Sequence, residues 1–215
     1  MDSNQSILSV ANAALGKCGV AIIQSLTPPD PNSKGAIRVA QCYYQLLDYC
    51  LAQHPWTFAK NTVALQTLSI PVPVFGDGVS IAYAYPSDWI KPNLWNFAYA
   101  IKRLEAAAIF SDTPGLMVKY TFRNLNPATY TPEFIEFLAT KIAAEVCYDL
   151  TNNVQLAAQL AKQVDEKKWQ AIASDSQGDT PDQPQADEWF IARLSGAQSA
   201  VVQPGTVSWS GTGTI

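Results

Sequence analysis

The sequence predicts a mainly α protein with a four-helix bundle-like core, a small β-sheet or hairpin region between helices two and three, and an extended C-terminal arm. Three observations lead to this class. Apolar residues recur at helical spacing in four segments. Between the second and third of them, residues 60–123 carry prolines, a glycine turn and the alternation typical of strands. The last twenty residues, rich in Ser, Gly and Thr, cannot fold alone.

Two domains follow from this plan. Residues 1–174 are expected to form the helical domain, including the β insertion at about residues 60–123. Residues 175–215 are expected to form a linker and a C-terminal arm, because residues 175–185 have the composition of a linker. The arm carries Trp189, Arg193 and Trp209 as handles for a partner.

Helix one is expected over residues 3–17, where apolar side chains repeat at helical spacing before Gly19. A proline-rich loop follows. Helix two begins near Ser33 and ends at His54, because Pro55 disfavours helical geometry in the residue before it. The apolar stripe of helix two is Ile37, Ala40, Tyr44, Leu47 and Leu51, with Tyr43, Leu46 and Cys50 beside it. A stripe this wide predicts a helix that is covered on two sides.

Trp56 and Phe58 follow the end of helix two at once. Alternate side chains of an extended chain share one face, so both rings are predicted to point the same way and to anchor the chain's exit from the helix. His54, the only histidine of the protein, is interpreted as a helix terminus, where a charged imidazole interacts favourably with the helix dipole.

The β insertion is predicted from local signals. Residues 79–83 alternate after the turn formed by residues 76–78, and residues 116–122 have the composition of another strand. Residues 104–110 are ambiguous, because their Glu-Ala-Ala-Ala run favours a helix by propensity. Their position between two strands favours an edge hairpin, which is the preferred interpretation.

Helix three is predicted to start at a capping Thr131, with Pro132 at the first helical position and Glu133 in the first turn. It runs to about Leu150. After a short break, helix four continues to about Ser174, and so short a connection favours antiparallel neighbours.

Catalytic and cofactor motifs are absent from the sequence. It contains no phosphate-binding glycine loop, and its four cysteines lack CxxC spacing, which suits reduced, buried thiols rather than zinc. The acids of helices three and four are the candidates for a catalytic pair, but acids so placed are usually solvated or paired with lysines. They are Glu133, Glu136, Glu145, Asp165 and Glu166. We therefore expect no enzyme activity, no cofactor and no metal.

Composition limits the class of partner. Charged residues make up 15% of the chain, below the usual quarter, and a low-charge surface suits a subunit that is buried in an assembly. The net charge of −4, without a cluster of Lys and Arg, argues against a general nucleic-acid binder. No secretory signal or membrane-spanning run is present in the sequence, so no membrane is expected.

These elements together resemble the tail tubular protein A family, the head-to-tail adaptors of short-tailed bacteriophages and related prophages. The resemblance covers roughly residues 4–193. Five segments carry the resemblance. They are the end of helix two at Ala52-Gln53-His54-Pro55-Trp56-Thr57-Phe58-Ala59, the turn Tyr83-Ala84-Tyr85-Pro86-Ser87-Asp88-Trp89, the strand before Asn126-Pro127, the Ala-rich helix from Phe134 to Leu150, and the segment from Trp189 to Arg193. Two regions depart from the family. Glu105 to Ala108 stand where the family turns through glycine, and the tail beyond Gly196 has no counterpart.

The resemblance implies a homo-oligomeric ring, commonly of twelve subunits, between the portal protein and the tail nozzle protein. Genomic DNA would pass through its lumen without sequence-specific binding. The protein would be assembled in the host cytoplasm and reside in the virion tail. Trp56, Phe58 and Trp89 are the expected structural anchors. Two alternatives stay open, a tail-associated peptidoglycan hydrolase and a neck or connector protein of a long-tailed phage.

Overall fold

A computed structural model describes residues 3–72, 78–97 and 100–177. Three sequence predictions therefore lie outside the described residues. They are the glycine turn at residues 76–77, the linker beyond residue 177, and the arm residues Trp189, Arg193 and Trp209.

Four α-helices occupy the predicted places. They are α1 (Ser3–Lys17), α2 (Lys34–Gln53), α3 (Pro132–Thr151) and α4 (Val154–Gln177). The hydroxyl of Ser33 accepts a hydrogen bond from the first turn of α2, and that of Thr131 does the same for α3. Asn152 ends α3 in the left-handed conformation, at φ 53°. These boundaries confirm the predicted starts of α2 and α3, whereas α4 continues beyond its predicted end at Ser174.

Seven strands lie in the described part of the chain. They are β1 (Lys60–Ala64), β2 (Thr67–Leu68), β3 (Ile81–Tyr83), β4 (Trp89–Trp95), β5 (Lys102–Leu104), β6 (Ile109–Ser111) and β7 (Met117–Phe122). They form two antiparallel sheets, with strand orders β1-β7-β4 and β2-β3-β6-β5.

The expected mainly α, four-helix bundle-like class is therefore wrong. The protein is a mixed α/β protein in which two sheets of seven described strands stand where a small β-sheet or hairpin region was predicted. Most of the strands are short, and β4 contains Pro92, a residue that normally argues against a strand. Because β4 lies at the edge of its sheet, the missing N–H of Pro92 is tolerated there.

Residues 104–110 form the predicted edge hairpin. Strands β5 and β6 pair, and the Glu105 N–H donates to the Ala108 carbonyl at 3.1 Å to close the turn between them. β5 is the outermost strand of its sheet. The turn closes without the glycine that the family resemblance implies.

The helices enclose the larger core. α3 packs against α1, α2 and α4, and buries one continuous line of side chains. These include Phe134, Phe137, Leu138, Ile142 and Val146. The predicted stripe of α2 is confirmed at Leu47 and Leu51, which are buried, and is wrong at Ile37 and Tyr44, which are 37% and 46% exposed. The flanking residues Tyr43, Leu46 and Cys50 share the buried side with them. The described residues leave Ile37 and Tyr44 on the open side of α2.

The two sheets share a second core. Tyr83, Ile109, Leu116, Val118 and Tyr120 are fully or almost fully buried in it. Trp89 stacks on the ring of Tyr120 at 5.2 Å between centroids, and the Tyr120 hydroxyl donates to Asp88. Trp89 thus belongs to the core of the β region, separate from that of the helices.

Trp56 joins the chain's exit from α2 to the helical core. Its indole is fully buried, its Nε1 donates to the Cys50 carbonyl at 3.0 Å, and its ring meets that of Phe134 at 4.9 Å. Phe58 stacks on it at 6.0 Å, so the two rings share one side as predicted. The extended exit is wrong, however, because Thr57–Ala59 form a turn of 3-10 helix.

The Trp56→Ala variant is expected to lower the free energy of unfolding by about 3–5 kcal/mol, because it opens a cavity in the core. Urea unfolding followed by circular dichroism measures the change. Trp169→Ala is the matched control, since Trp169 is 63% exposed and its removal should cost about 0.5 kcal/mol or less. Equal losses in the two variants would contradict the anchor role of Trp56.

Candidate functional site

A cluster around Asp175 joins three elements at the junction between the helices and the β region. Asp175 lies in the last turn of α4 and is buried. Its carboxylate accepts hydrogen bonds from the Thr57 N–H at 3.1 Å and from the Thr57 hydroxyl at 2.7 Å. The His54 Nε2 lies 3.4 Å from the same carboxylate. We call His54, Thr57 and Asp175 the Asp175 clasp.

The geometry of the clasp is not that of a nucleophilic triad. In a triad, the hydroxyl donates to the imidazole and the carboxylate orients the other ring nitrogen. In the clasp, the Thr57 hydroxyl donates to the carboxylate itself, so the imidazole has no proton to take from it. The arrangement holds the ends of α2 and α4 together.

The sequence prediction missed this clasp because it assigned Asp175 to the linker. A signal was present, since the apolar line of α4 continues through Leu160, Val164 and Ala171 to position 175 at helical spacing. An acid on a buried line requires a hydrogen-bond donor or a cation beside it, so this position predicts a polar contact in the core.

The imidazole of His54 is predominantly neutral at neutral pH. Burial lowers the pKa of His54 below its usual value, while the Asp175 carboxylate opposes that shift and Lys60 and Lys91 reinforce it. The Lys91 ammonium donates a hydrogen bond to the Ala52 carbonyl in the last turn of α2. The cation at the carboxyl end of α2 is therefore Lys91, rather than the charged histidine expected from the sequence.

The acids weighed as a catalytic pair lie on the surface of α3 and α4. Glu136 pairs with Lys17 at 2.6 Å, and Asp165 pairs with Lys168 at 2.9 Å, as expected for partners of lysines. Glu166 accepts a hydrogen bond from Gln170. An open groove of about 280 Å³ lies over the start of α3, lined by Pro132, Glu133, Glu136, Lys167 and Gln170.

Cys18 and Cys50 are poor nucleophiles and poor metal ligands. All four are free thiols, and burial raises the pKa of Cys18 and of Cys50 to about 12. A thiol with such a pKa stays protonated at neutral pH. Within residues 3–72, 78–97 and 100–177, no group of three or more His, Cys, Asp or Glu side chains is placed to hold a metal ion. No helix in this described part is long and apolar enough to cross a membrane.

The sequence-predicted residues do not converge on one site. Trp56 and Phe58 lie at the edge of the helical core with Phe134, and Trp89 lies in the core of the β region. The clasp connects the chain at Thr57 to α4, and the ion pair between Arg123 and Asp48 connects the end of β7 to α2. The described surface exposes large apolar side chains on α2, α4 and the sheets, and such side chains can contact a partner.

A scan of the chain against models of protein families and a search of curated proteins both find no match.

The Asp175→Ala variant is expected to lower the free energy of unfolding by about 1–3 kcal/mol, because two donors of Thr57 lose their acceptor. Thermal and urea unfolding measure the loss. Asp165→Ala is the matched control on the same helix, since its ion pair with Lys168 is exposed and should contribute at most about 1 kcal/mol. A loss no larger than that of the control would show that the clasp does not hold the junction.

Stability should rise with pH across the range in which histidine titrates. The pKa of His54 is lower in the folded chain than in the unfolded chain, so the unfolded state binds more protons and is favoured as the pH falls through about 6.5. Urea midpoints between about pH 5.5 and pH 7.5 measure this slope. Because His54 is the only histidine, His54→Gln should flatten it. An unchanged slope in that variant would contradict the assignment.

Proposed function

We propose that the protein is a structural head-to-tail adaptor of a short-tailed bacteriophage or a related prophage. Copies of the chain form a ring, of twelve subunits in the commonest arrangement, between the portal protein and the tail nozzle protein. Genomic DNA passes through the lumen. The observation that carries this proposal is the order of elements around the His54 to Ala59 segment, where α2 ends, the chain turns through Trp56, and the β region begins before α3.

The surface chemistry supports an assembly role. A ring uses heterologous contacts, so each subunit needs two different and complementary sides. The chain has few charges for its size, and large apolar side chains are exposed on separate elements, among them Tyr44 on α2, Met117 on β7 and Trp169 on α4. Exposed apolar side chains of this kind suit contact with neighbouring subunits.

The net negative charge supports a channel rather than a DNA-binding surface. A lumen lined by an acidic subunit repels the phosphate backbone, so DNA slides through without being gripped. The proposed role needs no catalysis, cofactor or metal. The protein is proposed to be assembled in the host cytoplasm and to remain in the virion at the junction of head and tail.

The purified protein is expected to form rings, either alone or on the portal protein encoded by the same genome. Mass photometry measures the subunit number, and negative-stain images with the portal show where the ring lies. A chain that stays monomeric and does not bind the portal would overturn the proposal. A peptidoglycan-release assay tests the hydrolase alternative in parallel. That alternative requires activity in the wild type and loss of this activity in a Glu133→Gln or Glu145→Gln variant that still folds.

A further inference from the structure

Two buried thiols meet where the chain leaves α1 and packs against α3. Cys18 follows the last residue of α1, Cys147 belongs to α3, and the two residues are 2% and 0% exposed. The Cys18 thiol donates a hydrogen bond to the Ala143 carbonyl of α3 at 3.5 Å. In an α-helix, the carbonyl of one residue accepts the N–H of the residue four positions later, so this carbonyl faces Cys147. Cys18 therefore lies against the turn of α3 that ends at Cys147.

Helix geometry directs the Cys147 side chain to the same turn. The Cα–Cβ bond of a helical residue tilts towards the N-terminus of the helix, so its side chain covers the turn before it. For Cys147, that turn contains Ala143. The ionisation of Cys18 agrees with this placement, because burial and then a hydrogen bond and charge at Cys147 raise the pKa of Cys18 to about 12. The two thiols are therefore direct neighbours, although they are far apart in the sequence.

The other two cysteines are placed differently. Cys42 and Cys50 both lie on α2, eight residues apart, so about 12 Å of helix axis separates them and they cannot bridge to each other. The Cys42 thiol contacts the Val39 carbonyl of its own helix at 3.6 Å. Besides burial, the group that shifts the pKa of Cys50 is the Lys141 ammonium rather than a thiol. Cys18 and Cys147 are the pair that the fold brings together.

We propose that Cys18 and Cys147 are a site of oxidative modification, at which an intrachain disulfide forms and fastens the end of α1 to α3. This inference does not depend on the proposed function. The sulfur atoms of a disulfide are about 2 Å apart, so the two thiols have to approach each other. Rotation about the Cα–Cβ bonds moves both sulfur atoms, and the approach can therefore begin with the side chains alone.

The oxidant is a small disulfide, for which oxidised glutathione is the probe. One thiolate of the pair attacks a sulfur atom of the reagent, which forms a mixed disulfide and releases one molecule of glutathione. The second protein thiolate then attacks the protein sulfur of the mixed disulfide, so the protein disulfide forms and the second glutathione leaves. The pair loses two electrons and two protons, and the reagent gains them as two thiols.

Burial makes this reaction slow rather than impossible. A buried thiol with a raised pKa does not react, so the reagent reaches the pair only when the end of α1 opens locally. As α1 closes again, it brings the second thiol to the mixed disulfide. A reducing cytosol keeps such a pair as thiols, and the disulfide therefore belongs to oxidising surroundings.

The first test oxidises the wild type with oxidised glutathione at about pH 8, where thiolates become available. The protein should lose the mass of two hydrogen atoms. Trypsin separates the candidates, because Cys18 falls in peptide 18–34, Cys147 in peptide 142–162, and Cys42 and Cys50 together in peptide 39–60. The link between peptides 18–34 and 142–162 should exceed every other link at least about tenfold. Refolding from urea in the same buffer is a second route, in which both thiols are accessible at the start.

The second test measures what the disulfide does to stability. Oxidation should raise the urea midpoint by about 1 M, because a cross-link that closes a loop of about 130 residues lowers the entropy of the unfolded chain. Dithiothreitol should reverse the shift. A variant with Cys18→Ala and Cys147→Ala should show no shift on oxidation. A variant with Cys42→Ala and Cys50→Ala is the matched control, which retains the pair and should respond like the wild type.

The outcomes decide the proposal without requiring the variants to fold, because the peptide link is measured in the wild type. A wild type that stays reduced by both routes overturns the site. Addition of glutathione without the link between peptides 18–34 and 142–162 also overturns it, as does a predominant link to peptide 39–60. A link that forms but lowers the urea midpoint would show that the two elements are distorted by the disulfide, and the fastening role would be wrong.

Discussion

The indole of Trp56 occupies the point where the helices meet the chain that leads into the sheets. Its Nε1 donates to a carbonyl of α2, its ring packs on Phe134 of α3, and the His54 ring meets it edge-on at 5.0 Å between centroids. Thr57, the next residue, is held by Asp175 of α4. Because a buried ring of this size tolerates little displacement, the ends of α2 and α4 and the start of β1 have one relative position.

The β region extends from this junction as a body with its own core. Tyr83, Ile109 and Tyr120 fill the space between the sheets, while Lys91 and Arg123 fasten the three-stranded sheet to α2. The proposed ring would require this rigidity, since a surface must stay in one orientation if copies are to close into a ring.

Helices were more predictable from the sequence than strands. The caps at Ser33 and Thr131 and the stop at Pro55 act locally, so their effect can be recognised in a few residues. The strands depend on pairing between distant segments, and β4, with Pro92 in it, carries a local signal against its own conformation. The exposure of Ile37 and Tyr44 and the pairing of His54 with Asp175 likewise depend on tertiary placement, which helical spacing alone does not determine.

Three of the four edge strands of the two sheets have features that oppose uncontrolled strand pairing between copies. β2 is only two residues long, β5 carries Lys102 and Arg103, and β4 is interrupted by Pro92 and by two shifts of register. Short, charged or irregular edges are poor templates for another strand. Such edges hinder newly synthesised copies from joining backbone to backbone into fibres, so in the proposed ring the contacts between copies would be made by side chains.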